Sequence, residues 1–311
     1  MNAARLSLLS LLTAMAVAVS ACQQSTQSQT AQLDKLTEIQ KRGTLVVSID
    51  PAYPPQSEIV PGAARTLDTQ CTVDQLTAGE LSGFDVEVAA GIAKRLGVEP
   101  CFVTPDWTQI TSGNWRDQWD ISVGSMAITP ERMKTLSFTQ PYYTTPAAFF
   151  VHSDNTSYSN PGDLSRKRVG VCSGCTYQLY LEGTLSLPVQ KIDFAVKNAE
   201  IVEYANEVLA LQELALGDGV KLDAALVASP TGKQAISNGL PIKQLGSPVY
   251  LEYLAAAVDK NQIHDPSSFV NRVTEIIQQM HNDGTLRNLS IQYYGEDLTI
   301  TAAEFNIALL K

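Results

Sequence analysis

One arginine stands where a strand end gives way to a Thr-Pro-Glu turn. It is Arg132, and the strand end before it carries Ser125, Met126 and Ala127. The turn predicts the start of a helix. A guanidinium fork beside free backbone N–H groups holds a planar carboxylate through two parallel charge-assisted hydrogen bonds. Because a helix start favours anions over an arginine, the position indicates another use for this side chain. The segment therefore predicts a site for a small carboxylate.

Strands and helices alternate around this segment, which predicts parallel strands with crossover helices. Apolar residues at helical spacing predict a helix over 84–96, with Gly97 as its stop. Asn206 and Asp265 have the residue types of helix N-caps. The other predicted helices are 176–181, 206–216, one opening at 229, 265–284 and 285–294. The predicted strands are 44–49, 99–104, 120–125, 169–172, 200–204 and 223–227.

Two extended, largely apolar stretches, 144–151 and 249–258, read as crossings between two halves of the chain. We therefore predict an α/β fold with two lobes. Lobe 1 comprises 36–146 and 256–311, lobe 2 comprises 147–255, and the crossing strands form a hinge. Ligands of open parallel sheets bind beyond the carboxyl ends of the strands. Two such edges that face each other make a cleft that can close.

The amino terminus predicts export. Residues 1–22 have a short basic start at Arg5, an apolar run over 6–19 and a Val-Ser-Ala-Cys ending at Cys22. The apolar run is too short to predict a membrane span. The ending resembles a bacterial lipobox, in which Cys22 becomes the lipidated first residue; an ordinary cleaved signal with a stray cysteine is the alternative. Residues 23–35 predict a disordered tether. We expect an extracytoplasmic protein held by a lipid anchor, in the periplasm or at the outer face of the cell membrane.

The net charge is −10 and the sequence pI is about 4.8. Basic residues are scattered and form no stripe, so the sequence predicts no nucleic-acid partner. The three histidines form no cluster with metal-ligand spacing, and no metal site is expected. The sequence has no phosphate-cradling glycine loop or other cofactor motif, so no cofactor is expected either.

Four cysteines remain beside Cys22, and export predicts an oxidising compartment for them. Three connectivities are open to four cysteines. We favour Cys71 with Cys101 and Cys172 with Cys175. Cys71 precedes the first long helix and Cys101 lies near the start of the strand after it, so the two can meet at one end of that unit.

Several segments resemble the family-3 extracellular solute-binding proteins of amino-acid ABC transporters. The resemblance covers about 36–299. The segments that carry it are 43–55, 82–89, 106–107, 124–132, 141–143, 169–171, 173–174, 223–226 and 269–294. It implies the two-lobed type II periplasmic-binding fold with parallel-type sheets flanked by helices. It also implies a monomer that captures a small carboxylate-bearing solute, an amino acid or a derivative, for ABC permease subunits.

The resemblance gives roles to residues of the first lobe. Arg132 would pair with the ligand carboxylate, and the rings of Tyr53 and Trp107 would sandwich the ligand side chain, although both rings could equally pack in the core. Asp50 would face the ligand side chain, with capping of the turn after it as the alternative. Glu58 is a weaker candidate of the same kind.

The backbone at Ser125, Met126 and Ala127 would also contact the ligand, although relatives often carry a hydroxyl where Ala127 stands. In the second lobe, Ser173 and Thr176 would present free N–H groups to a carboxylate at a helix start.

The largest departure from the family pattern is Ala228. Amino-acid binders usually carry an aspartate at this position, which pairs with the ligand ammonium. A buried ammonium without a counter-charge is costly. Three alternatives follow: another carboxylate supplies the charge, the ligand amino group stays hydrated, or the ligand is not a standard α-amino acid.

Two other functions are open to this fold. Some relatives dehydrate cyclic carboxylates, with the arginine as anchor and a carboxylate such as Asp50, Glu58 or Asp106 as acid or base. A ligand-sensing module for a membrane receptor is the other. No Ser-His-Asp order and no metal spacing is visible, so we expect a binding protein and no catalytic residues.

Overall fold

Helix α1, Lys35–Arg42, opens the part of the chain that the computed structural model describes, residues 34–310. Asp34 caps the helix by accepting from the N–H of Thr37 at 3.0 Å. The buried Lys35 forms an ion pair with Asp120 at 2.7 Å. The predicted tether, 23–35, is therefore too long by these last two residues, which the cap and the ion pair tie into the fold. The predicted signal peptide and Cys22 lie outside the described residues.

The other elements follow the alternation that the sequence predicts. The helices are α2 Phe84–Leu96, α3 Trp107–Ser112, α4 Thr176–Leu181, α5 Glu207–Leu214, α6 Ser229–Ser237, α7 Ser267–Asn282, α8 Thr285–Tyr294 and α9 Ile300–Ala303. The longer strands are β1 Thr44–Ser48, β6 Glu99–Val103, β7 Ile121–Ala127, β8 Leu136–His152, β9 Arg168–Cys172, β10 Glu200–Tyr204, β11 Ala224–Ala228 and β12 Ile242–Asp259. The short strands are β2 Ala52–Tyr53, β3 Ser57–Ile59, β4 Leu76–Thr77 and β5 Leu81–Ser82.

Two groups of parallel strands flank two long antiparallel strands. The order in the main sheet is β10-β9-β11-β8-β12-β7-β1-β6-β4. Strands β9, β10 and β11 are parallel, as are β1, β6 and β7. The crossing strands β8 and β12 have 17 and 18 residues, long enough to pair with each other and with both groups. The predicted α/β class is confirmed, with the two parallel groups hydrogen-bonded through the crossing strands into one sheet.

Strand side chains alternate between two core layers. Leu45 and Val47 pack with helices α2 and α7, whereas Val46 between them packs with Trp115 on the other face. The group around β9 and β11 also has two such clusters. Burial on both faces requires continuous apolar runs, which is how these parallel strands read in the sequence.

Helix α2 keeps its predicted bounds. Phe84, Val88 and Ile92 are fully buried at a spacing of four residues, and Gly97 ends the helix with φ +78°. Helices α4 and α8 and strand β10 also keep their predicted bounds, and the predicted cap at Asn206 accepts from the N–H of Leu209 at 3.0 Å.

Helix α7 begins at Ser267, and the side chain of Asp265 accepts from the N–H of Ser267, the hydrogen bond that the predicted cap would make. The other predicted helix start is corrected. Arg132 begins only a three-residue 3₁₀ turn, Arg132–Lys134, and no α-helix. Among the described residues, no helix is long and apolar enough to cross a membrane.

Both disulfides that the sequence favoured are present. Cys71 is bonded to Cys101 on β6, and Cys172 at the end of β9 is bonded to Cys175, which flanks the start of α4. The first bond ties the segment before α2 to the sheet, and the second closes a short loop at a strand end.

Candidate functional site

A cavity lies at the carboxyl ends of strands from both parallel groups. Asp50 follows β1, Trp107 follows β6, Ala127 ends β7, Cys172 ends β9 and Ala205 follows β10. Carboxyl ends of parallel strands are where open α/β sheets bind ligands. The cavity and its mouth together contain about 490 Å³ of space between atoms, a figure that includes open solvent.

Two walls face each other across this space. The first wall comes from the early part of the chain: Asp50, Tyr53, Trp107, Ser125, Ala127 and Arg132. The second wall comes from later residues: Cys172, Cys175, Thr176, Tyr177, Ala205, Asn206, Glu207 and Glu252. Residues that are far apart in the sequence thus meet in one cavity.

Arg132 lies in the cavity with most of its surface buried, at 8% exposure. Its Nη1 donates to the carbonyl of Ala127 at 2.9 Å, and its Nη2 donates to the carbonyl of Gly174 at 3.2 Å. The guanidinium lies 5.3 Å from the ring centroid of Trp107. It forms no ion pair with any carboxylate of residues 34–310. A guanidinium has five N–H donors, so this one keeps donors for a ligand. Burial lowers its pKa to about 10, which leaves it charged at neutral pH.

The aromatic residues of the first wall are only partly buried. Tyr53 and Trp107 both line the cavity, as the resemblance implies. Within the described part of the chain, the indole Nε1 of Trp107 is buried without a hydrogen-bond partner. Leaving a buried donor unsatisfied costs about 1–3 kcal/mol, so a ligand acceptor here would recover free energy.

The position of Asp50 is compatible with both roles considered for it, capping of the turn and contact with a ligand. Its carboxylate accepts from the N–H of Ala52 at 2.9 Å, which caps the turn, and the residue also lines the cavity. Burial raises its pKa, and Asp106 adds to the shift. Glu58 is exposed on β3 and lies outside the cavity lining.

Three of the predicted site residues do not line the cavity. Met126 turns its side chain into the core with Ile110, since neighbouring residues on a strand face opposite sides. Ser173 donates from its hydroxyl to Glu203 at 2.7 Å. Ala228 is fully buried at the end of β11. The other seven predicted residues, namely Asp50, Tyr53, Trp107, Ser125, Ala127, Arg132 and Thr176, all line it.

Glu207 was missed by sequence reasoning. It is the first residue of α5 and is 3% exposed. Its Oε2 accepts from the N–H of Ala228 at 3.0 Å, and its carboxyl also interacts with the hydroxyls of Tyr53 and Tyr177. Burial, with a contribution from Glu252, raises its pKa to about 8. The only sequence signal for it was its place directly after the Asn206 cap.

Glu252 was missed as well. It lies within β12, opposite Thr145 of β8, and is 4% exposed. Thr176 donates from its hydroxyl to one carboxylate oxygen, and Tyr177 donates to the other at 2.9 Å. Burial raises the pKa of Glu252, whereas these hydrogen bonds and Arg132 act in the opposite direction. Nothing in the sequence of an apolar crossing strand marked one of its carboxylates as a cavity residue.

The cavity therefore has a guanidinium on the first wall and two buried carboxylates on the second. Buried charges are usually paired. Here Arg132 stays out of ion-pair contact with Glu207 and Glu252, although it interacts with Glu252 through space. Such an arrangement suits a small molecule that carries both signs of charge and a flat or apolar portion for the two aromatic rings.

Comparison with known proteins agrees with this description. The family model for bacterial extracellular solute-binding proteins, family 3, matches residues 72–296. The chain belongs to this family, and its fold is the two-lobed type II periplasmic-binding fold.

Individual relatives are moderately similar. The probable amino-acid-binding protein YxeM of Bacillus subtilis is 30% identical over 224 residues, which cover 71% of this chain and 79% of YxeM. The L-cystine-binding protein TcyJ of Escherichia coli is 27% identical over 266 residues, covering 85% of this chain and 87% of TcyJ. A solved structure, the ancestral amino acid-binding protein AncCDT-1, described as a precursor of cyclohexadienyl dehydratase, matches with a TM-score of 0.66 at 27% identity. The match covers 84% of this chain and 100% of that one.

Proposed function

We propose that this protein captures an L-amino acid, or a derivative that keeps the amino and carboxyl groups, and delivers it to an ABC permease. The observation that carries the proposal is that Arg132, Glu207 and Glu252 line one and the same cavity. Arg132 would bind the ligand carboxylate, and the second wall would bind the ammonium. Family membership and relatives such as YxeM and TcyJ, whose names state amino-acid or L-cystine binding, support the same class of solute.

The position of Glu207 bears on the difficulty raised by Ala228. The family's usual aspartate at position 228 is absent, but the carboxylate of Glu207 reaches the backbone N–H of Ala228 from another element. A carboxyl group is thus available beside the same strand end, and a ligand ammonium placed against it would favour its ionised form. This supports the first of the three alternatives, in which another carboxylate compensates the ligand ammonium.

The presence of two carboxylates bears on the ligand side chain. One ammonium needs one counter-charge, so the second carboxylate, together with Asp50 on the first wall, is available to a further cation or hydrogen-bond donor. Tyr53 and Trp107 supply flat surfaces that stack well on cations and apolar chains. We therefore infer that L-amino acids with a second polar or cationic group, such as L-arginine or L-cystine, bind more tightly than short aliphatic ones.

Both walls contribute to the closed cavity. The hydrogen bond from Arg132 of the first wall to the carbonyl of Gly174 joins them directly. A ligand that contacts both walls favours this closed arrangement over an open one, which is a population shift. We propose that the crossing strands β8 and β12 form the hinge between lobe 1, 36–146 with 256–311, and lobe 2, 147–255.

For the rest of the chain we propose an extracytoplasmic monomer anchored through a lipidated Cys22. The permease would recognise the closed form. If the protein instead reports its ligand to a membrane receptor, deleting that receptor should leave solute uptake intact. Measuring uptake in cells that lack the permease separates the two functions, because only a transport function requires the permease.

A thermal-shift screen over L-amino acids, amides, opines and simple organic acids tests the proposal. A ligand at one hundred times its Kd stabilises the folded form by about 2.7 kcal/mol. For a domain of this size that corresponds to a midpoint increase of about 5 °C or more. We expect such an increase with at least one amino acid and none with its decarboxylated amine. The absence of any response among amino acids would contradict the proposal.

A second candidate function is acid-catalysed dehydration of a cyclic carboxylate. It is favoured by Glu207, whose raised pKa keeps it protonated near neutral pH, the form that a general acid needs. The similarity to AncCDT-1 points the same way. Incubation with cyclohexadienyl carboxylic acids, followed by mass analysis for loss of water, distinguishes turnover from binding. We expect binding without turnover.

A further inference from the structure

Ser125 has an unusual backbone conformation for its position. It lies within β7 at the cavity wall, yet its φ is +53°. A residue with a Cβ rarely adopts the left-handed region, and it stays there only where its surroundings hold it. The β7–β12 pairing shifts register nearby, between Ala255 and Ala257. A left-handed residue beside such a shift is typical of a β-bulge, which redirects the strand.

A closed ring of hydrogen bonds surrounds this serine. Its N–H donates to the hydroxyl of Tyr142 at 2.8 Å, and that hydroxyl donates to Oδ1 of Asp85 at 2.8 Å. The Ser125 hydroxyl donates to Oδ2 of the same aspartate at 2.6 Å and also contacts the hydroxyl of Tyr143. Asp85 is fully buried in α2, so both of its oxygens are committed to fixing one residue of the wall.

The position of Arg132 depends on the same stretch of strand. Ala127, two residues after Ser125, gives its carbonyl to Nη1 of Arg132 at 2.9 Å. The path of β7 through Ser125 therefore sets where the guanidinium is held. We propose that Asp85 is a positioning residue for ligand binding, which acts by holding Ser125 in the left-handed conformation and so places the Ala127 carbonyl and Arg132. This inference rests on the proposed function in one respect only, namely that the binding measurement needs an amino-acid ligand.

A purely structural role for Asp85 is the competing explanation. The aspartate lies among the rings of Phe84, Tyr142, Tyr143 and Tyr294, which stack on one another in the core. In the described part of the chain, the groups that interact with the Asp85 carboxyl include the Ser125 hydroxyl and the hydroxyls of Tyr142, Tyr143 and Tyr294. A buried carboxyl is costly to keep in an apolar cluster unless its hydrogen bonds are made. Stability alone would not require those bonds to end on a strained residue of the cavity wall.

Asp85→Asn tests the inference, because asparagine keeps the shape of the side chain. In a crystal structure of this variant, we expect residue 125 to leave the left-handed region. With L-arginine as the probe in calorimetric titration, we expect about a tenfold or greater increase in Kd. The matched control is Asp259→Asn. Asp259 is also fully buried with both carboxylate oxygens hydrogen-bonded, here to the backbone N–H groups of Trp115 and Asn261, but it lies outside the cavity lining. The Asp259→Asn variant should change the Kd for L-arginine less than twofold.

Rescue separates positioning from core packing. Glycine adopts a positive φ without strain. In the Asp85→Asn background, Ser125→Gly should therefore recover part of the lost affinity, whereas Ser125→Ala should recover none. Retention of φ near +53° at residue 125 in folded Asp85→Asn overturns the inference. If wild type does not bind L-arginine or any other amino acid, the proposed function fails, and the conformation of residue 125 still decides this inference separately.

Discussion

The two walls of the cavity differ in charge and in how well their residues can be predicted from the sequence. The first wall carries the guanidinium of Arg132 and two aromatic rings, all within segments that resemble the family. The second wall carries Glu207 and Glu252, which no motif marked. The cavity thus has a basic side and an acidic side. The basic side comes from segments with a recognisable motif, and the acidic side comes from segments without one.

Burial acts on the two walls in opposite senses. It lowers the pKa of Arg132 and raises those of Glu207 and Glu252, in each case toward the neutral form. Desolvated charges that are not in contact are destabilising until a partner arrives. A zwitterionic ligand would supply a partner to each wall at once, which explains why one cavity holds both signs of charge apart.

Removing the cation should have the largest effect on binding. In Arg132→Ala the ligand carboxylate loses its charged partner and Glu252 loses a compensating charge. Truncation of one member of a buried charged pair costs about 2–5 kcal/mol. We expect the Kd of the best amino acid in the screen to rise about a hundredfold or more by calorimetric titration. Arg132→Lys keeps the charge but not the forked guanidinium, so its Kd should lie between those of wild type and Arg132→Ala. A loss below about tenfold would falsify the anchoring role.

The second wall should respond less, because two carboxylates share its charge. Glu207→Gln preserves shape and removes the ionisable group nearest Ala228. We expect Kd to rise about tenfold to fiftyfold, the lower part of the range of a charged hydrogen bond worth roughly 1.5–3 kcal/mol. Glu252→Gln should cost less affinity for an amino acid with an uncharged side chain than for L-arginine. Equal losses for both ligands from both variants would show that the two carboxylates do not have separate roles.

The stability of the ligand-free protein should depend on pH. Burial raises the pKa of Glu207 to about 8 and that of Asp85 to about 7. A carboxyl with a raised folded pKa contributes stability that is full below its unfolded pKa and is lost as pH rises through the folded value. Ligand-free protein should therefore lose about 2 kcal/mol or more of unfolding free energy between about pH 4 and pH 8. Urea unfolding measures this.

The matched variants for this pH series are Glu207→Gln and Asp85→Asn. Each should reduce the loss of unfolding free energy between pH 4 and pH 8. Groups with lowered pKa, such as Asp283 at about 2, change stability below this window and do not mask it. A wild-type slope of the opposite sign between pH 4 and 8 would rule out raised pKa values in the ligand-free cavity.

The smallest effect should come from the aromatic part of the first wall. Trp107→Phe keeps a flat ring but removes the buried Nε1 donor and weakens the stacking on Arg132. We expect a loss of about 1 kcal/mol, or about fivefold in Kd, with little change in the melting temperature of the ligand-free protein. An unchanged Kd together with a lower melting temperature would place Trp107 in the core rather than in the binding site.

The sequence predicted much of the first wall and of the fold because those features are local. Helix α2 follows from apolar residues four apart and a glycine stop, and Arg132 stands in a contiguous motif. The prediction was weaker where one residue's role depends on another element. Ser173 was expected at the ligand, yet its hydroxyl donates to Glu203 of β10. Met126 shares the motif with Arg132, but the alternation of the strand turns its side chain away from the cavity.

The sequence by itself determined the family, the alternation of strands and helices, the two disulfide pairs and Arg132 as a candidate binding residue. Only the tertiary structure decided that the carboxyl of Glu207 reaches the N–H of Ala228, that Glu252 lines the same cavity as Arg132, and that Asp85 is hydrogen-bonded to Ser125. The physical reason is that periodicity and motifs report interactions between residues close in sequence. Which carboxylates share a buried cavity is set by the order of strands in the sheet and the register of the two crossing strands, which no local pattern records.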